Sequence, residues 1–218
     1  LSLAQICTFP EDAFVSMVER CVHIVHLDLC GSVVSAKMAA ALGTLQLSSV
    51  GLSYSDIADD VLLTVLDAQR TSLTEVLLGR VSLEVMHNTL QTCTKLSTFN
   101  AQCIDEDDYR LDLSVCKKLT SLSVIYQGDR QGQFLAQISE HCASLQTLQL
   151  NLSKIDFRVE HIDAILERCT LLCELALDVR ISDDIYIEQN EERWQGLRPG
   201  LAVTSIYTAA LNVMNKLE

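Results

Sequence analysis

The sequence predicts an α/β solenoid, in which short parallel strands form one layer and short return helices form the other. Two observations lead to this prediction: a string of the form Cys-x-x-Leu-x-x-Leu-x-Leu recurs along the chain, and amphipathic helical patterns separate several of its copies. The last two leucines of the string lie two positions apart, so on an extended strand they share one face and the residue between them points to the other. Because one strand cannot bury such a row alone, neighbouring copies must stack and share an apolar core.

The repeat can be followed along most of the chain. Five copies begin with a cysteine and two carry only the leucines; the first apolar residues of the seven are Ile24, Leu42, Leu73, Leu96, Leu119, Leu145 and Leu172. The steps between them are 18, 31, 23, 23, 26 and 27 positions. Most steps fall within the roughly 20 to 29 residues of leucine-rich repeats. The first is too short for a strand, a turn and a return helix, so the copy at Leu42 is either displaced by several residues or degenerate.

Three segments between the strands have the spacing of short amphipathic helices that end at the next cysteine. Apolar residues recur at three- and four-residue steps in 82–93, 131–142 and 158–169. The predicted fold is therefore a leucine-rich repeat solenoid, with a curved parallel sheet on the concave side and these helices on the convex side. The segment 103–115 is short and acidic, and it predicts an irregular return without a full helix.

Length and composition favour one domain over residues 1–218. The 218 residues include only 2 Pro and 8 Gly, and no flexible linker interrupts the repeats. Solenoids commonly exceed the usual domain size because each repeat contacts only its neighbours. We expect irregular repeats in 1–72, regular repeats in 73–180 and a C-terminal capping region in 181–218. Since the first residue is Leu and not Met, we expect the chain to be a fragment of a longer protein.

The nine cysteines favour a reducing compartment rather than disulfides or metal. Five of them occupy the same repeat position, where a small buried hydrophobe suits the stack, and an odd count argues against a paired secreted framework. We therefore expect a cytoplasmic or nuclear protein. The set Cys21, His23, His26 and Cys30 has the composition of a zinc site, but His23 and His26 point to opposite faces of a strand, so we predict no bound metal.

Other motifs and the net charge narrow the function classes. The sequence has no Gly-rich phosphate loop, no nucleophile elbow and no His-Glu-x-x-His string, so we predict neither catalytic residues nor a cofactor. The net charge of −13 repels nucleic acid and anionic membrane surfaces and favours encounter with a basic partner. No apolar stretch reaches the length of a membrane span. We therefore predict a protein partner, with no nucleic acid and no membrane.

The pleat of the strands predicts where a protein target binds. Residues between the buried leucines point out of the concave face, and aligning the copies gives three rows. The first row contains His26, Thr44, Glu75, Thr98, Ser121, Thr147 and Glu174, and the second contains Asp28, Gln46, Leu77, Asn100, Ser123, Gln149 and Ala176. The third runs through Cys30, Gly79, Ile125 and Asp178. Most members are small and polar, which suits binding through hydrogen bonds, and none is Trp, Tyr or Arg, the usual interface anchors.

The C-terminal end offers a second candidate surface. Acidic residues are concentrated between 178 and 192, and three aromatic residues lie nearby, namely Tyr186, Trp194 and Tyr207. Trp194 also suits a cap over the open end of the last repeat. Our hypothesis is that the end of the solenoid and this acidic loop, with Asp178, Asp183 and Asp184, contribute to the partner site.

The repeat resembles that of a known family. A cysteine three positions before the first leucine of Leu-x-x-Leu-x-Leu is similar to the cysteine-containing leucine-rich repeat of F-box proteins. The similarity covers the strands from Cys93 to Leu177 well and those from Cys21 to Leu29 less fully. The usual second cysteine after the strand is mostly absent, and only Cys30 and Cys103 approximate it. The ending over residues 194–203 also resembles the helix-then-strand ending of such domains.

The resemblance implies a substrate receptor of a cullin-RING ubiquitin ligase. In that family a separate F-box binds the Skp adaptor and the repeats hold the target. Residues 9–14 only faintly resemble an F-box, so we expect the part that binds the adaptor and cullin to lie outside this chain. Two other classes stay open: a scaffold or assembly protein without an adaptor, and the sensing repeats of an innate immune receptor, which would carry a nucleotide-binding domain upstream.

Overall fold

The structure is a computed structural model that describes residues 1–4, 10–103, 111–126, 131–152, 158–179 and 185–205. The chain divides into two compact units, Leu1–Ile104 and Asp105–Glu218. Each unit is a layer of parallel strands that alternate with helices. The predicted α/β class with a parallel sheet is therefore confirmed, while the leucine-rich repeat assignment and the single domain stay predictions.

In the first unit, the strands lie side by side in chain order and every neighbouring pair is parallel. The strands are β1 (His26–Asp28), β2 (Ser49–Leu52), β3 (Glu75–Val81) and β4 (Thr98–Cys103). The helices are α1 (Glu11–Arg20), α2 (Ala36–Leu42), α3 (Asp59–Gln69) and α4 (Leu83–Thr92). Residues 1–3 extend the ladder beyond β1, because Ser2 bridges Asp28 in parallel.

The second unit repeats this arrangement, again with parallel neighbours in chain order. Its strands are β5 (Ser121–Tyr126), β6 (Thr147–Leu152), β7 (Glu174–Val179) and β8 (Ala202–Ser205). Its helices are α5 (Gln131–His141), α6 (Val159–Arg168) and α7 (Ile185–Leu197).

Alternating burial along the strands explains why helices cover one face only. In β6, Leu148 and Leu150 are fully buried, whereas Gln149 between them is exposed. The apolar residues of α6, including Ile162 and Ile165, are buried as well, so they share the core with the leucines. Burying one leucine or isoleucine side chain stabilises the fold by about 1.5–3 kcal/mol. On the described strands, the residues that alternate with these buried leucines are mostly polar.

The three predicted return helices are confirmed. They correspond to α4, α5 and α6, and the helices α4 and α6 end at the cap residues Cys93 and Cys169. The irregular return predicted over 103–115 falls mostly on residues 104–110, outside the described residues, and 111–115 contain no helix.

The predicted repeat at Leu42 is wrong. Leu42 is the last residue of α2, and the strand that pairs with β1 begins seven positions later, at Ser49. The correct copy is Leu47-Ser-Ser-Val50-Gly-Leu52. It begins 23 positions after Ile24 and 26 positions before Leu73, so both irregular steps become regular. The prediction failed because α2 ends in leucine, so its apolar residues imitate the strand pattern. Thr44 and Gln46 therefore leave the strand rows, and Ser49 and Gly51 take their places.

A ladder of side-chain hydrogen bonds joins successive repeats at the position after the first leucine. The hydroxyl of Ser48 donates to the carbonyl of Val25 at 3.0 Å, that of Thr74 to Ser48 at 3.0 Å and that of Ser97 to Thr74 at 2.9 Å. The same carbonyl of Ser48 also accepts the backbone N–H groups of Thr74 and Glu75. The hydroxyl ladder thus ties the start of each strand to the strand before it.

A buried amide organises the turn between α2 and β2. Gln69, the last residue of α3, is 1% exposed. Its Nε2 donates to the carbonyls of Leu42 and Leu45 at 2.9 Å each, and its Oε1 accepts the N–H of Leu47 at 2.9 Å. One side chain therefore satisfies three backbone groups that would otherwise lose their solvation on burial.

The last helix is fastened to the helix before it by polar contacts around a buried tryptophan. Trp194 is 0% exposed, and its Nε1 donates to Asp163 of α6 at 3.2 Å. Arg193 forms an ion pair with the same carboxylate. The guanidinium of Arg198 donates to the carbonyls of Leu166 and Thr170 and so caps the C-terminal end of α6. This arrangement agrees with the interpretation of Trp194 as a cap on the last repeat.

Candidate functional site

The exposed strand face, meaning the residues that alternate with the buried leucines, is the main candidate surface. In the first unit, its side chains form two rows that follow the strand register. One row is His26, Ser49, Glu75 and Thr98, and the other is Asp28, Gly51, Leu77 and Asn100. The predicted neighbours are therefore brought together, apart from the two positions that Ser49 and Gly51 now occupy.

The second unit carries three rows on its exposed strand face. They are Ser121, Thr147, Glu174 and Ala202; Ser123, Gln149, Ala176 and Thr204; and Ile125, Asn151 and Asp178. All predicted members of this unit's strands thus lie in the expected register. Cys30 and Gly79, which were aligned with the third row, fall after β1 and at an irregularity of β3.

Side chains on the second unit's face bond to one another along the rows. The hydroxyl of Ser123 donates to Gln149 at 3.3 Å, that of Thr147 to Glu174 at 3.4 Å, and the amide of Asn151 to the Asp178 carboxylate at 2.7 Å. Such contacts orient the side chains before any partner arrives, which lowers the ordering cost of binding.

In the first unit, the face is shaped around Asp28. Its carboxylate accepts hydrogen bonds from the Ser2 hydroxyl and from the N–H of Cys30, each at 3.0 Å. A Cβ on the adjacent Gly51 would stand 2.9 Å from this carboxylate, so glycine suits the position. The Asp28 side chain therefore packs over the buried backbone of Gly51.

The charges of the exposed strand face are acidic in both units. Asp28 and Glu75 lie on the rows of the first unit, and Glu174 and Asp178 lie on those of the second. These carboxylates are half-buried or exposed, so their field acts mainly by attracting basic groups during encounter.

The segment 178–192, predicted as an acidic loop, is not a loop where the structure describes it, because Asp178 lies in β7 and residues 185–192 belong to α7. Asp183 and Asp184 lie outside the described residues, as does Tyr207, and the side chain of Tyr186 is also outside them. Trp194 is buried, so it is not an exposed anchor for a partner.

Two candidate anchors escaped the sequence alignment. Tyr54 follows β2 and is 83% exposed, and Arg80 is an exposed residue of β3. The misplaced copy at Leu42 concealed Tyr54, because it located the strand several residues too early. The spacing of 23 positions between Ile24 and Leu47 is the signal that would have revealed it.

The repeat cysteines are mainly core residues. Cys93, Cys116, Cys142 and Cys169 are buried, while Cys21 is exposed, contrary to the prediction for that position. Burial raises the pKa of the Cys93 and Cys142 thiols, and it raises that of Cys169 to about 11 against an opposing effect of Arg198. These thiols are therefore protonated and unreactive near neutral pH. Within the described residues, no three His, Cys, Asp or Glu side chains are grouped as metal ligands.

Comparisons with known proteins identify no relative. No model of a known protein family matches the chain, and no curated protein sequence is significantly similar to it. In the part of the chain that the structure describes, no helix is both long and apolar enough to cross a membrane.

Proposed function

We propose that the chain is a non-catalytic protein-interaction module whose target binds to the exposed strand face. The observation that supports this proposal best is the continuity of the rows: side chains from successive strands stand in register, and several are already oriented by mutual hydrogen bonds. Rows of small polar groups on a rigid sheet suit an interface rich in hydrogen bonds, and the acidic residues favour a basic target.

The test compares two variants of equal charge change in the full-length protein. The variant Thr98→Lys with Asn100→Lys alters both rows of the first unit at β4 by adding two positive charges on the exposed strand face. Glu84→Lys makes the same net change on the exposed side of α4. In quantitative affinity capture, the face variant is expected to lose the specific partners of the wild type, and the α4 variant is expected to keep them. Equal capture by both would refute binding at this face.

We further propose that the target is a substrate of a cullin-RING ubiquitin ligase for which this chain is the receptor. The support is the resemblance of the cysteine-containing repeat to that of F-box proteins, together with the burial of the cysteines at Cys93, Cys116, Cys142 and Cys169. In this proposal, an F-box outside these residues binds the Skp adaptor and the cullin. The protein would act in the cytoplasm or the nucleus.

Purification of the full-length protein from cells tests this second proposal. The Skp adaptor and a cullin are expected to co-purify, and the face variant is expected to retain both while losing the target. A target that binds without either ligase component would instead support a scaffold or assembly role. The first proposal survives that outcome, because it requires only a target on the face.

A further inference from the structure

Two backbone irregularities of the first unit meet beside β2. Tyr54 has a φ of 57°, in the left-handed region that side chains other than those of Gly and Asn rarely adopt. Tyr54 is 83% exposed, so packing in the core does not favour a tyrosine at this position either. Neither local conformation nor packing therefore explains a tyrosine here.

The second irregularity lies in β3, directly against Tyr54. The register between β3 and β4 shifts between Leu77 and Arg80. A Cβ on Gly79 would stand only 2.7 Å from the backbone nitrogen of Tyr54, so the close approach of these strands requires glycine. Bulges re-aim the side chains that follow them, and Arg80 is exposed immediately after Gly79.

An exposed valine lies on the neighbouring connection. The β1–α2 and β2–α3 connections run together: Gly31 N–H donates to Ser53 at 2.9 Å, and Val33 bridges Asp56 in parallel. Val33 is 49% exposed. We name Val33, Tyr54 and Arg80 the Tyr54 patch. Tyr and Arg are the residues most enriched among interface anchors.

Acidic residues follow Tyr54 closely in the chain, and one of them, Asp56, bridges Val33 of the patch. Asp56, Asp59 and Asp60 are exposed, and none forms an ion pair with another described residue. Asp59 and Asp60 stabilise the N-terminal end of α3 through the helix dipole, but Asp56 lies before that helix and has no such role. The charge around the patch is therefore complementary to a basic ligand.

We propose that the Tyr54 patch anchors a protein segment that presents an apolar side chain flanked by Lys or Arg. The apolar side chain packs against Tyr54 and Val33, the basic residues face Asp56 and its neighbours, and the Arg80 guanidinium donates to backbone carbonyls of the segment. This inference rests on the proposed interaction function and identifies the chemistry of its partner.

Selection of a random 16-residue peptide library displayed on phage, against the full chain, tests the inference. Selected peptides are expected to contain an aromatic or aliphatic residue flanked by Lys or Arg. They should bind Tyr54→Gly at least about tenfold more weakly than the wild type, and Tyr54→Phe about equally, because the ring supplies the contact. Leu171→Ser is the control, since it removes an exposed apolar residue of the second unit.

The Tyr54→Gly variant also separates binding from folding. Glycine relieves the left-handed strain, so its thermal midpoint should equal or exceed that of the wild type even as binding falls. Peptides without basic residues, or equal affinity for the wild type and Tyr54→Gly, would overturn the Tyr54 anchor. If such peptides bind Asn100→Lys weakly, the exposed strand face still stands as the binding surface. If no peptide is selected, the inference about the Tyr54 patch fails, whereas the proposed function is decided separately by affinity capture with the face variant.

Discussion

The two units fill the same turn of the repeat with different chemistry. In the second unit, the residue three positions before the first leucine of a copy is a buried thiol at Cys116, Cys142 and Cys169. In the first unit, Cys93 is the one buried thiol at the equivalent described positions, whereas Cys21, Thr44 and Arg70 are exposed. Around Thr44, the buried polar contacts come instead from the amide of Gln69, which bonds to Leu42, Leu45 and Leu47.

The difference shows that the fold needs a turn whose interior space is filled and whose buried polar groups are hydrogen-bonded, rather than one particular residue. A thiol fills the space as a small hydrophobe and contributes a weak donor, as when Cys169 Sγ donates to the carbonyl of Cys142 at 3.3 Å. The Gln69 amide forms three directed hydrogen bonds and so specifies the turn more strictly. Substitutions should therefore be tolerated better at the thiols than at the amide.

The largest expected effect concerns the end of the second unit. Trp194→Ala should lower the free energy of unfolding by about 4 kcal/mol, because it removes a fully buried indole and leaves the Asp163 carboxylate short of a donor. Urea denaturation measures the change. Leu197→Ala, on the same helix but exposed, is the control and should cost less than about 1 kcal/mol. A similar cost for both would show that Trp194 is not a structural cap.

Gln69→Leu tests the amide of the first unit directly. The substitution should lower the free energy of unfolding by about 3 kcal/mol, because three buried backbone groups of Leu42, Leu45 and Leu47 lose a partner each. Gln46→Leu is the matched control in the same turn, since Gln46 is exposed. If Gln69→Leu proves as stable as the wild type, the turn depends on volume alone and the contrast between the units disappears.

The thiols of the second unit predict a dependence on alkaline pH. Because burial raises the pKa of Cys142 above its usual 9.0, the folded state keeps the proton while the unfolded state releases it. The contribution of the Cys142 thiol to the free energy of unfolding is therefore full below pH 9, and it declines as the pH rises above 9. Between pH 8 and pH 10, the wild type should lose about 1.4 kcal/mol more than Cys142→Ala.

Denaturation by urea at both pH values measures this difference. Leu171→Ala is the control, because that exposed side chain carries no titratable group, and its pH dependence should match that of the wild type. Parallel pH dependences for all three proteins would contradict a thiol kept protonated by burial.

The smallest expected effect concerns the hydroxyl ladder of the first unit. Thr74→Val keeps the shape of the side chain but removes its hydrogen bond to the carbonyl of Ser48, so it should cost about 1 kcal/mol. Thr94→Val is the control, since the Thr94 hydroxyl bonds no other described residue. If Thr74→Val lowers the free energy of unfolding by less than Thr94→Val does, the two backbone N–H groups that donate to the carbonyl of Ser48 are enough to hold the two strands together.

Sequence patterns predicted the regular part of the molecule well and the first unit less well. From Leu73 onward, the strand positions, the helices α4, α5 and α6, and the strand-face rows agree with the structure wherever it describes them, apart from Gly79, which lies at the irregularity of β3. Before Leu73, the apolar end of α2 imitated a strand, and the error removed Tyr54 from consideration. Local apolar spacing cannot distinguish a short helix end from a short strand, because both place leucines two or three positions apart.

The sequence by itself determined the parallel α/β class, most strand registers and the polar character of the exposed strand face. These features follow from the alternation of leucine with small polar residues, which is a local property of the chain. Only the tertiary structure decided the position of β2, the three bonds of Gln69, the burial of Trp194 and the meeting of Tyr54 with the irregular part of β3. Each of those depends on residues more than 20 positions apart, whose contact no local pattern records.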